Sequence, residues 1–356
     1  MTADVSVEIR PVDDLSALAA VWRDLESRSD GSFFQSWAWT GCLAEERFDE
    51  PWLMTAHRGD RPIALALLNR GPRRRLRRPR SLLLGESGDS RRDSIFIEHN
   101  GLLIDRSEAA GLARRCWEAL ADAAESGLRR ATWVLSGVPH LMLPELPLAR
   151  RQRIIARRPA PYLTFAKLTS GASALDAMSP NTRQQLRRSL RSWEAIGAPR
   201  LEVARNGDEA DIFLSELKSL HQRYWIGRGK PGAFAEPFFE RFHRALIRRP
   251  GPGQRLDLIR FSAGGRIMGY LYNLVHRGWI AAYQSGFDFS ADSDRLRPGL
   301  VCHLLAIEHY RTAGARLYDF LGGEARYKRS LANDEIELVW LEARPRLLPR
   351  LATGRG

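Results

Sequence analysis

The sequence predicts an α/β protein whose two halves repeat one order of helices and strands. Its 356 residues are enough for two domains, each able to bury a core of its own. Hydrophobic residues make up 44% of the chain and charged residues 27%, which is typical of folded globular proteins. Each half reads as a strand, two helices, three or four strands, a helix and a final strand. We therefore expect two related domains.

The elements of the first half follow from hydrophobic periodicity. Val5–Arg10 alternates as a strand does, and apolar residues from Leu15 to Leu25 then recur at helical spacing. The remaining predictions for this half are helices at Ser36–Phe48 and around Arg114–Leu128, and strands at Trp52–His57, Ile63–Leu68, Leu82–Leu84, Ser94–Ile97 and Thr132–Leu135.

The second half gives the same order. Both halves place small, turn-forming residues before an alternating apolar strand, in HRGDRPIALALL and FSAGGRIMGYLY. The predictions for this half are helices after Ser179-Pro180 and at Ile212–Trp225, Pro237–Ile247 and Leu300–Tyr310, and strands at Arg200–Ala204, Leu256–Phe261, Ile267–Val275, Trp279–Ser285 and Leu317–Phe320.

A proline-rich stretch separates the halves. Five prolines crowd residues 139–161, and proline limits continuous helix, so a linker or crossover is expected near residues 145–165. The predicted domains are residues 1–155 and residues 156–356, with the second carrying the working site and the first a degenerate copy.

The composition limits the choice of cellular compartment and of binding partner. The start of the chain has no signal-peptide pattern, and no apolar run is long enough to span a bilayer, so we expect a cytoplasmic protein. Three scattered cysteines without metal-ligand spacing predict no metal site. The net charge of +13 favours an anionic partner without naming it. Its densest patch, the Arg70 to Arg80 loop, is either a solvated surface or an anchor for a polyanion.

One segment of the second half is a candidate anion site. Arg295 and Arg297 lie in a loop, after which Pro298, Gly299 and Leu300 open a helix. Proline suits the first helical turn, and a helix N-terminus with unpaired N–H groups beside two arginines can bind a pyrophosphate. The alternative is that Pro-Gly only starts the helix.

The second half resembles a known family. The stretches SPNTRQQLRRSLRSWEAIG, LKSLHQRYW, YQSGFD, RPGL and YDFLGGEARYKR look like the CelD/BcsL-like branch of the GNAT acyltransferases, which is related to the Fem-type peptidyltransferases. FFQSWAWTGCL and RPIALALL are fainter matches in the first half. The resemblance implies two tandem GNAT-like domains, each a mixed central sheet flanked by helices, and acyl transfer from acyl-CoA, acetyl-CoA above all, to an amine. The usual phosphate loop is not reproduced at Arg295 to Val301, which leaves the donor less defined than the fold.

The predicted catalytic residues lie near the ends of the last strands. Lys328 is one of only four lysines in a chain that otherwise uses arginine, and Tyr327-Lys328 matches an aromatic-Lys pair that contacts the transfer site in Fem-type relatives. Tyr283 and Asp319 are candidates for proton handling, and the strand from Tyr283 to Gly286 could supply an oxyanion N–H. Each could equally be a structural residue.

The predicted substrate-binding residues come from three places. Arg183 and Arg187 belong to a basic stripe that continues to Arg188 and Arg191, and His221 and Trp225 share one face of a helix. Three further candidates complete the set: Gln284, Asp288 and Glu324. A solvated stripe and ordinary core packing are the alternatives for the first two groups.

Three functions remain open at this point. The first is an acyl-CoA-dependent N-acyltransferase acting on an amine of a sugar, an amino acid or a polysaccharide or cell-envelope precursor. The second is a Fem-like aminoacyl transferase that draws on aminoacyl-tRNA, which the positive charge would suit. The third is a non-catalytic scaffold that binds a polyanion through the Arg70 to Arg80 loop.

Overall fold

The chain folds into two compact units. The computed structural model describes residues 4–71, 81–108, 110–122, 132–146, 148–168, 173–249, 251, 253–289 and 293–345. The first unit is Met1–Arg157 with Leu338–Gly356, and the second is Arg158–Glu337. The division into domains 1–155 and 156–356 stays a prediction, and it did not foresee that Leu338–Gly356 groups with the first unit.

The strands follow one another in most of the order that each half predicts. In chain order they are β1 Val5–Pro11, β2 Pro51–Arg58, β3 Arg61–Arg70, β4 Ser81–Leu84, β5 Leu103–Ile104, β6 Thr132–Pro139, β7 Leu148–Thr164, β8 Arg200–Val203, β9 Gln254–Ala263, β10 Arg266–His276, β11 Trp279–Phe287, β12 Leu317–Asp319 and β13 Asp334–Pro345.

The helices begin where the sequence offers capping residues. Asp14 caps the first one, since its carboxylate accepts from the N–H groups of Ser16 and Ala17. Ser179 caps the fourth, with Pro180 in the first turn. The helices are α1 Leu15–Ser27, α2 Trp37–Glu46, α3 Leu112–Asp122, α4 Pro180–Glu194, α5 Gly207–Ile226, α6 Pro237–Ile247, α7 Ser293–Leu296, α8 Pro298–Thr312 and α9 Arg326–Leu331.

Among the described residues, each unit contains one parallel strand pair within an otherwise antiparallel sheet. In the first unit the order is β1-β2-β3-β4-β6-β13, with β5 beside β3, and β4 runs parallel to β6. In the second unit the order is β7-β12-β11-β10-β9-β8, and β11 runs parallel to β12. Parallel neighbours need a crossover connection, and α3 and α8 lie in those connections. The prediction of two halves, each a mixed sheet flanked by helices, is confirmed.

Each unit has its own apolar core. Trp117 and Trp133 meet with ring centroids 5.5 Å apart in the core of the first unit. The core of the second unit includes Trp193, Tyr310 and Tyr318, all almost fully buried. A core of this kind in each unit is what two domain-sized halves require.

Three sequence predictions need correction. Ser94–Ile97 is not a strand, because a short 3₁₀ turn at Arg92–Ser94 leads into irregular chain. The proline-rich stretch near residues 145–165 is mostly the long strand β7, since its prolines lie where φ suits an extended chain. Strand β13, which follows the last strand predicted, was missed.

Two further findings concern partners. Of the Arg70 to Arg80 loop, Arg70 ends β3 with its guanidinium 5.6 Å from the centroid of the Trp52 ring, and residues 72–80 lie outside the described residues. Within the described ranges, no helix is long and apolar enough to cross a membrane.

Candidate active site

Strands β11 and β12 part at their carboxyl ends. They pair over three positions, and the last pair is Ala281 with Asp319. β11 continues to Phe287 beside β10 only, whereas β12 ends at Asp319. We call the opening between residues 282–287 and the chain after Asp319 the second-unit V. Ligands of open α/β sheets bind outside the carboxyl ends of strands, so this opening is the candidate site.

A β-bulge lies at the start of the V. The pairing of β10 with β11 shifts from Tyr272–Gln284 to Asn273–Ala282, which leaves Tyr283 as the extra residue. The Tyr283 ring is nearly buried and lies 4.9 Å from His243, measured between ring centroids. Tyr283 therefore helps to bend the strand, and its ring belongs to an aromatic cluster.

The edge of β11 at Ser285 is held by two side chains. Its N–H donates to Gln284 Oε1 at 3.0 Å, and its carbonyl oxygen lies 3.0 Å from His221 Nδ1. His221 Nε2 accepts from the Ala233 N–H at 3.2 Å, so Nδ1 carries the proton. Burial lowers the pKa of His221, which keeps the ring neutral. In this structure His221 joins α5 to β11.

Helix α5 lies unusually close to the V. A side chain on Gly286 would place its Cβ 2.3 Å from the Leu217 carbonyl oxygen, so only glycine fits. Trp225, one turn after His221, is half-buried, and the Lys230 ammonium lies 5.5 Å from its ring centroid. The sequence drew attention to His221 and Trp225 but gave no signal for Gly286.

The start of α8 faces the carboxyl end of β11. Pro298 is buried at the first helical position, and a Cβ on Gly299 would lie 3.1 Å from the Phe287 ring. The N–H groups of Gly299 and Leu300 have no hydrogen-bond partner among the described residues. Unpaired N–H groups at the positive end of a helix suit an anion.

The two predicted arginines flank this helix start. Arg297 adopts a left-handed backbone conformation with φ of +45°, and its guanidinium donates to the Asp294 carbonyl and to Gln185 Oε1. The Arg295 side chain is exposed, and its carbonyl oxygen accepts from the Ser189 hydroxyl at 3.0 Å. Helix α4 therefore holds the segment that leads into α8.

The rest of α4 presents its arginines to solvent. Arg183 is half-buried and makes one long hydrogen bond, 3.5 Å to the Asp176 carbonyl. Arg187, Arg188 and Arg191 are exposed. The predicted stripe therefore exists on this helix.

A tight turn follows β12. Asp319 is buried, and its carboxylate accepts from the Trp279 indole N–H at 3.2 Å and from the Leu321 N–H at 2.7 Å. Leu321 has a φ of +60°, which is uncommon for a residue other than glycine. Lys328 Nζ donates to the carbonyl oxygens of Leu321 and Gly322 at 3.1 and 2.9 Å. Asp319 and Lys328 thus hold the turn on the far side of the V.

Tyr327 belongs to an aromatic cluster around a histidine that the sequence analysis missed. The Tyr327 and His303 rings stack with centroids 5.3 Å apart and planes 21° apart. Burial raises the pKa of Tyr327 to about 12, so its hydroxyl keeps its proton. His303 looked like one more polar residue in an apolar helix, which is why periodicity did not single it out.

The two remaining candidates are acidic. Asp288 lies just past β11, and its carboxylate is 3.5 Å from the Arg266 guanidinium. Glu324 is exposed in the turn before α9. In the described part of the chain, no three His, Cys, Asp or Glu side chains are arranged to hold a metal ion.

Comparisons with known proteins agree with this geometry. Residues 180–329 match the acetyltransferase (GNAT) domain family. A search of curated proteins found no match to the chain.

Several solved structures share the fold across nearly the whole chain. FemX is 12% identical with a TM-score of 0.59, covering 93% of this chain and 97% of that one. The C-terminal domain of a putative lysylphosphatidylglycerol synthetase from Agrobacterium fabrum is 12% identical with a TM-score of 0.55, covering 92% of each chain. L-PGS from Bacillus licheniformis is 13% identical with a TM-score of 0.53, covering 95% of this chain and 94% of that one.

At these identities the solved structures establish the fold alone, and the family match adds the kind of domain. The matched range contains the second-unit V, the start of α8 and the turn held by Lys328. The match of residues 180–329 to the GNAT domain family supports an acyltransferase.

Proposed function

We propose that the chain is an acyl-CoA-dependent N-acyltransferase, with acetyl-CoA as the first donor to test. The acceptor is an amine of a sugar, an amino acid or a polysaccharide or cell-envelope precursor, and the reaction takes place in the cytoplasm. The observation that carries the proposal is the parting of β11 from β12 beside the unpaired N–H groups that start α8.

The start of α8 would hold the diphosphate of the donor. Gly299 and Leu300 offer N–H groups, and the absence of a side chain at Gly299 lets the Phe287 ring pack against this helix start. Arg295 is exposed and precedes this helix in the chain, and Arg297 adds a second positive charge. Two guanidinium groups and a helix N-terminus match the charge of a diphosphate. When bound, a CoA thioester supplies the activated acyl group.

The edge of β11 would stabilise the acyl carbonyl. Transfer to an amine builds negative charge on that oxygen, and a backbone N–H aimed at it lowers the barrier. The Ser285 N–H lies on this edge and is covered by Gln284 Oε1. A rotation of the Gln284 side chain would expose it, while His221 keeps the strand in place through the Ser285 carbonyl.

The residues across the V would act mainly by position. Lys328 holds the Leu321–Gly322 turn, and Asp319 fixes both that turn and Trp279. The Tyr327 ring packs beneath the turn. Tyr283 supplies the bulge that bends β11 away from β12. Their substitution should therefore change both binding and rate.

The acceptor would approach from the α5 side. Trp225 offers a half-exposed aromatic face, Asp288 offers a carboxylate for the amine proton, and Arg183 and Arg187 extend the positive surface along α4. An acceptor that carries phosphate as well as an amine would suit this charge.

A mass-spectrometric screen of acyl-CoA donors against pooled amines tests the proposal. We expect one acyl mass to appear on at least one amine, with release of CoA thiol. The variant Arg297→Gln should weaken transfer, whereas Arg205→Gln, an exposed arginine paired with Glu209, should not. No acyl transfer to any amine, with no binding of CoA, would remove the proposal.

An aminoacyl-tRNA donor is the second candidate, because the exposed arginines of α4 form a surface that could bind a phosphate backbone. The resemblance to Fem-type peptidyltransferases suggested it, and FemX shares the fold. Titration calorimetry with acetyl-CoA and with tRNA separates the two. Tight, salt-sensitive tRNA binding without CoA binding would favour this donor. The scaffold hypothesis depends on the Arg70 to Arg80 loop and would predict no transfer at all.

A further inference from the structure

His303 lies in an aromatic box on the α8 side of the second-unit V. It is 1% exposed, and its ring is surrounded by rings from both sides of the opening. The centroid distances are 5.8 Å to Phe287, 5.5 Å to Phe320, 6.0 Å to Tyr318 and 5.3 Å to Tyr327. Phe287 ends β11 and Phe320 follows β12, so the His303 ring lies near the residues that border the opening on both strands.

A buried hydrogen bond fixes which nitrogen of His303 carries the proton. The Tyr318 hydroxyl lies 3.0 Å from His303 Nδ1, its one hydrogen-bond partner among the described residues. A buried phenol that accepted from Nδ1–H would leave its own proton without an acceptor, so Tyr318 donates to Nδ1. Nδ1 accepts, so Nε2 is the N–H donor.

The Nε2–H group has no partner among the described residues. The ring is neutral, because burial and the nearby Lys328 ammonium lower the pKa of His303 to about 3. Nearly all buried polar groups of folded proteins are hydrogen-bonded, so a buried donor without an acceptor asks for an explanation. Here the unsatisfied donor lies in the part of the fold where the acyl group is proposed to bind.

We propose that His303 Nε2–H is a specificity-determining donor that binds an oxygen atom of the acyl group, so the preferred donor carries a short acyl chain with a hydroxyl or keto oxygen. This inference rests on the proposed acyl-CoA function. The aromatic walls suit the carbon atoms of such a chain, and the single N–H suits a neutral oxygen. A carboxylate would be costly to bury against one neutral donor, and an ammonium would meet a donor where it needs an acceptor.

The test compares the Kd of 3-hydroxybutyryl-CoA with that of butyryl-CoA by titration calorimetry, with succinyl-CoA as a third probe. The full chain should bind the hydroxyacyl thioester about tenfold more tightly, as one buried hydrogen bond allows. His303→Phe should reduce that preference to about one. His303→Gln, whose amide can replace Nε2–H, should keep part of it.

His276→Phe is the matched control. His276 is also a buried histidine with an unpaired ring nitrogen, Nδ1, but it lies at the opposite end of β10, next to the turn into β11. Its replacement should leave the hydroxyacyl preference unchanged. If His303→Phe does not fold, Tyr318→Phe serves instead, because it keeps the ring and removes the hydroxyl that fixes the tautomer. The preference should then fall in the same direction.

Nitrogen-detected NMR of the histidine rings gives a readout that is independent of affinity. We expect His303 as the neutral Nε2–H tautomer, with its Nε2–H resonance shifting when 3-hydroxybutyryl-CoA binds and not when butyryl-CoA binds. Equal affinity for the two thioesters in the wild type, or an unchanged preference in His303→Phe, would overturn this inference alone. If no acyl-CoA binds, the proposed function fails and takes the inference with it.

Discussion

Both units contain a parallel strand pair that parts at its carboxyl end, yet the two openings differ in what lies between the strands. In the first unit β4 and β6 pair as far as Leu84 and Leu135. Asn100 then bridges them, since its Nδ2 donates to the carbonyl oxygens of Leu84 and Ser136 at 3.1 and 3.2 Å. The chain around Asn100 therefore occupies the opening of the first unit.

The second-unit V is left with unsatisfied groups instead. The N–H groups of Gly299 and Leu300 and the Nε2–H of His303 have no partner in the part of the chain that the structure describes. A closed opening satisfies its own backbone, whereas one that binds a ligand must leave donors for it. The comparison supports our proposal that the first unit is a degenerate copy and that the second unit carries the reaction.

Glycine substitutions should separate the two openings most strongly. Gly286→Ala would push α5 away from β11. We therefore expect the free energy of unfolding to fall by about 1–3 kcal/mol and the rate of acyl transfer to fall about 100-fold. Gly137→Ala is the counterpart, because its Cβ would meet the Ile97 carbonyl oxygen at 2.0 Å. Gly137→Ala should lower the free energy of unfolding by a similar amount, whereas the protein that stays folded should transfer acyl groups at an unchanged rate. Denaturant unfolding and an acyl-transfer assay measure both, and equal loss of rate in the two variants would contradict the contrast.

Removal of the Asn100 bridge should affect stability without creating a second donor site. Asn100→Leu leaves two buried carbonyl oxygens without their donor, so we expect a loss of about 2–3 kcal/mol in the free energy of unfolding. Calorimetry should still count one acyl-CoA per chain, with an unchanged Kd. A second binding event would mean that the first unit keeps a competent site beneath its own chain.

The two units should respond to pH in opposite directions. Burial lowers the pKa of His243 in the second unit to about 3, so its contribution to stability is present above pH 6.5 and is lost as pH falls, by about 2 kcal/mol at pH 5. Burial raises the pKa of Glu86 in the first unit to about 7, so its contribution is present below about pH 4.5 and is lost as pH rises through 7.

Urea unfolding at pH 5 and pH 7.5 measures this difference. His243→Phe should reduce the loss on acidification, and Glu86→Gln should reduce the loss on the alkaline side. Identical pH profiles for the two variants would show that neither group titrates as its surroundings suggest.

A single charge at the start of α8 should have a smaller effect. Arg297→Gln should raise the Kd of acetyl-CoA about tenfold, because a charged donor beside the proposed diphosphate is lost. The difference in Kd between the wild type and Arg297→Gln should become smaller at high salt, where exposed charges are screened. Titration calorimetry gives both values, and an unchanged Kd would move the diphosphate away from this helix.

The smallest effect is expected at Glu324. The side chain is exposed, so Glu324→Gln should change the rate of transfer less than about twofold, as surface substitutions usually do. A steady-state assay at saturating acyl-CoA checks this. A large loss of rate would make Glu324 the acceptor of the amine proton.

Much of the fold could be predicted from periodicity and capping. Ser179, Pro180 and Pro298 mark helix starts that the structure confirms. Strand β13 was not predicted, and its pairing with β6 depends on residues far away in the chain. The strand β7 was obscured by its prolines, whose fixed φ suits an extended chain as well as a linker.

The site was harder to predict than the fold. The sequence pointed to the start of α8 and to Lys328, which are features of local motifs. It gave no signal for Asn100, Gly286 or His303, since each depends on a neighbour far away in the chain, such as the Leu217 carbonyl above Gly286. Residues whose role depends on distant partners do not show in spacing or composition.

The return of Leu338–Gly356 to the first unit means that the second unit is inserted into the first. A fragment cut at residue 156 and run to the last residue would carry β13 without its partner β6, exposing an unpaired strand edge that invites aggregation. To express the second unit separately, the chain should be cut on both sides of it, near Arg158 and Glu337. The two remaining pieces of the first unit can then be joined by a short linker.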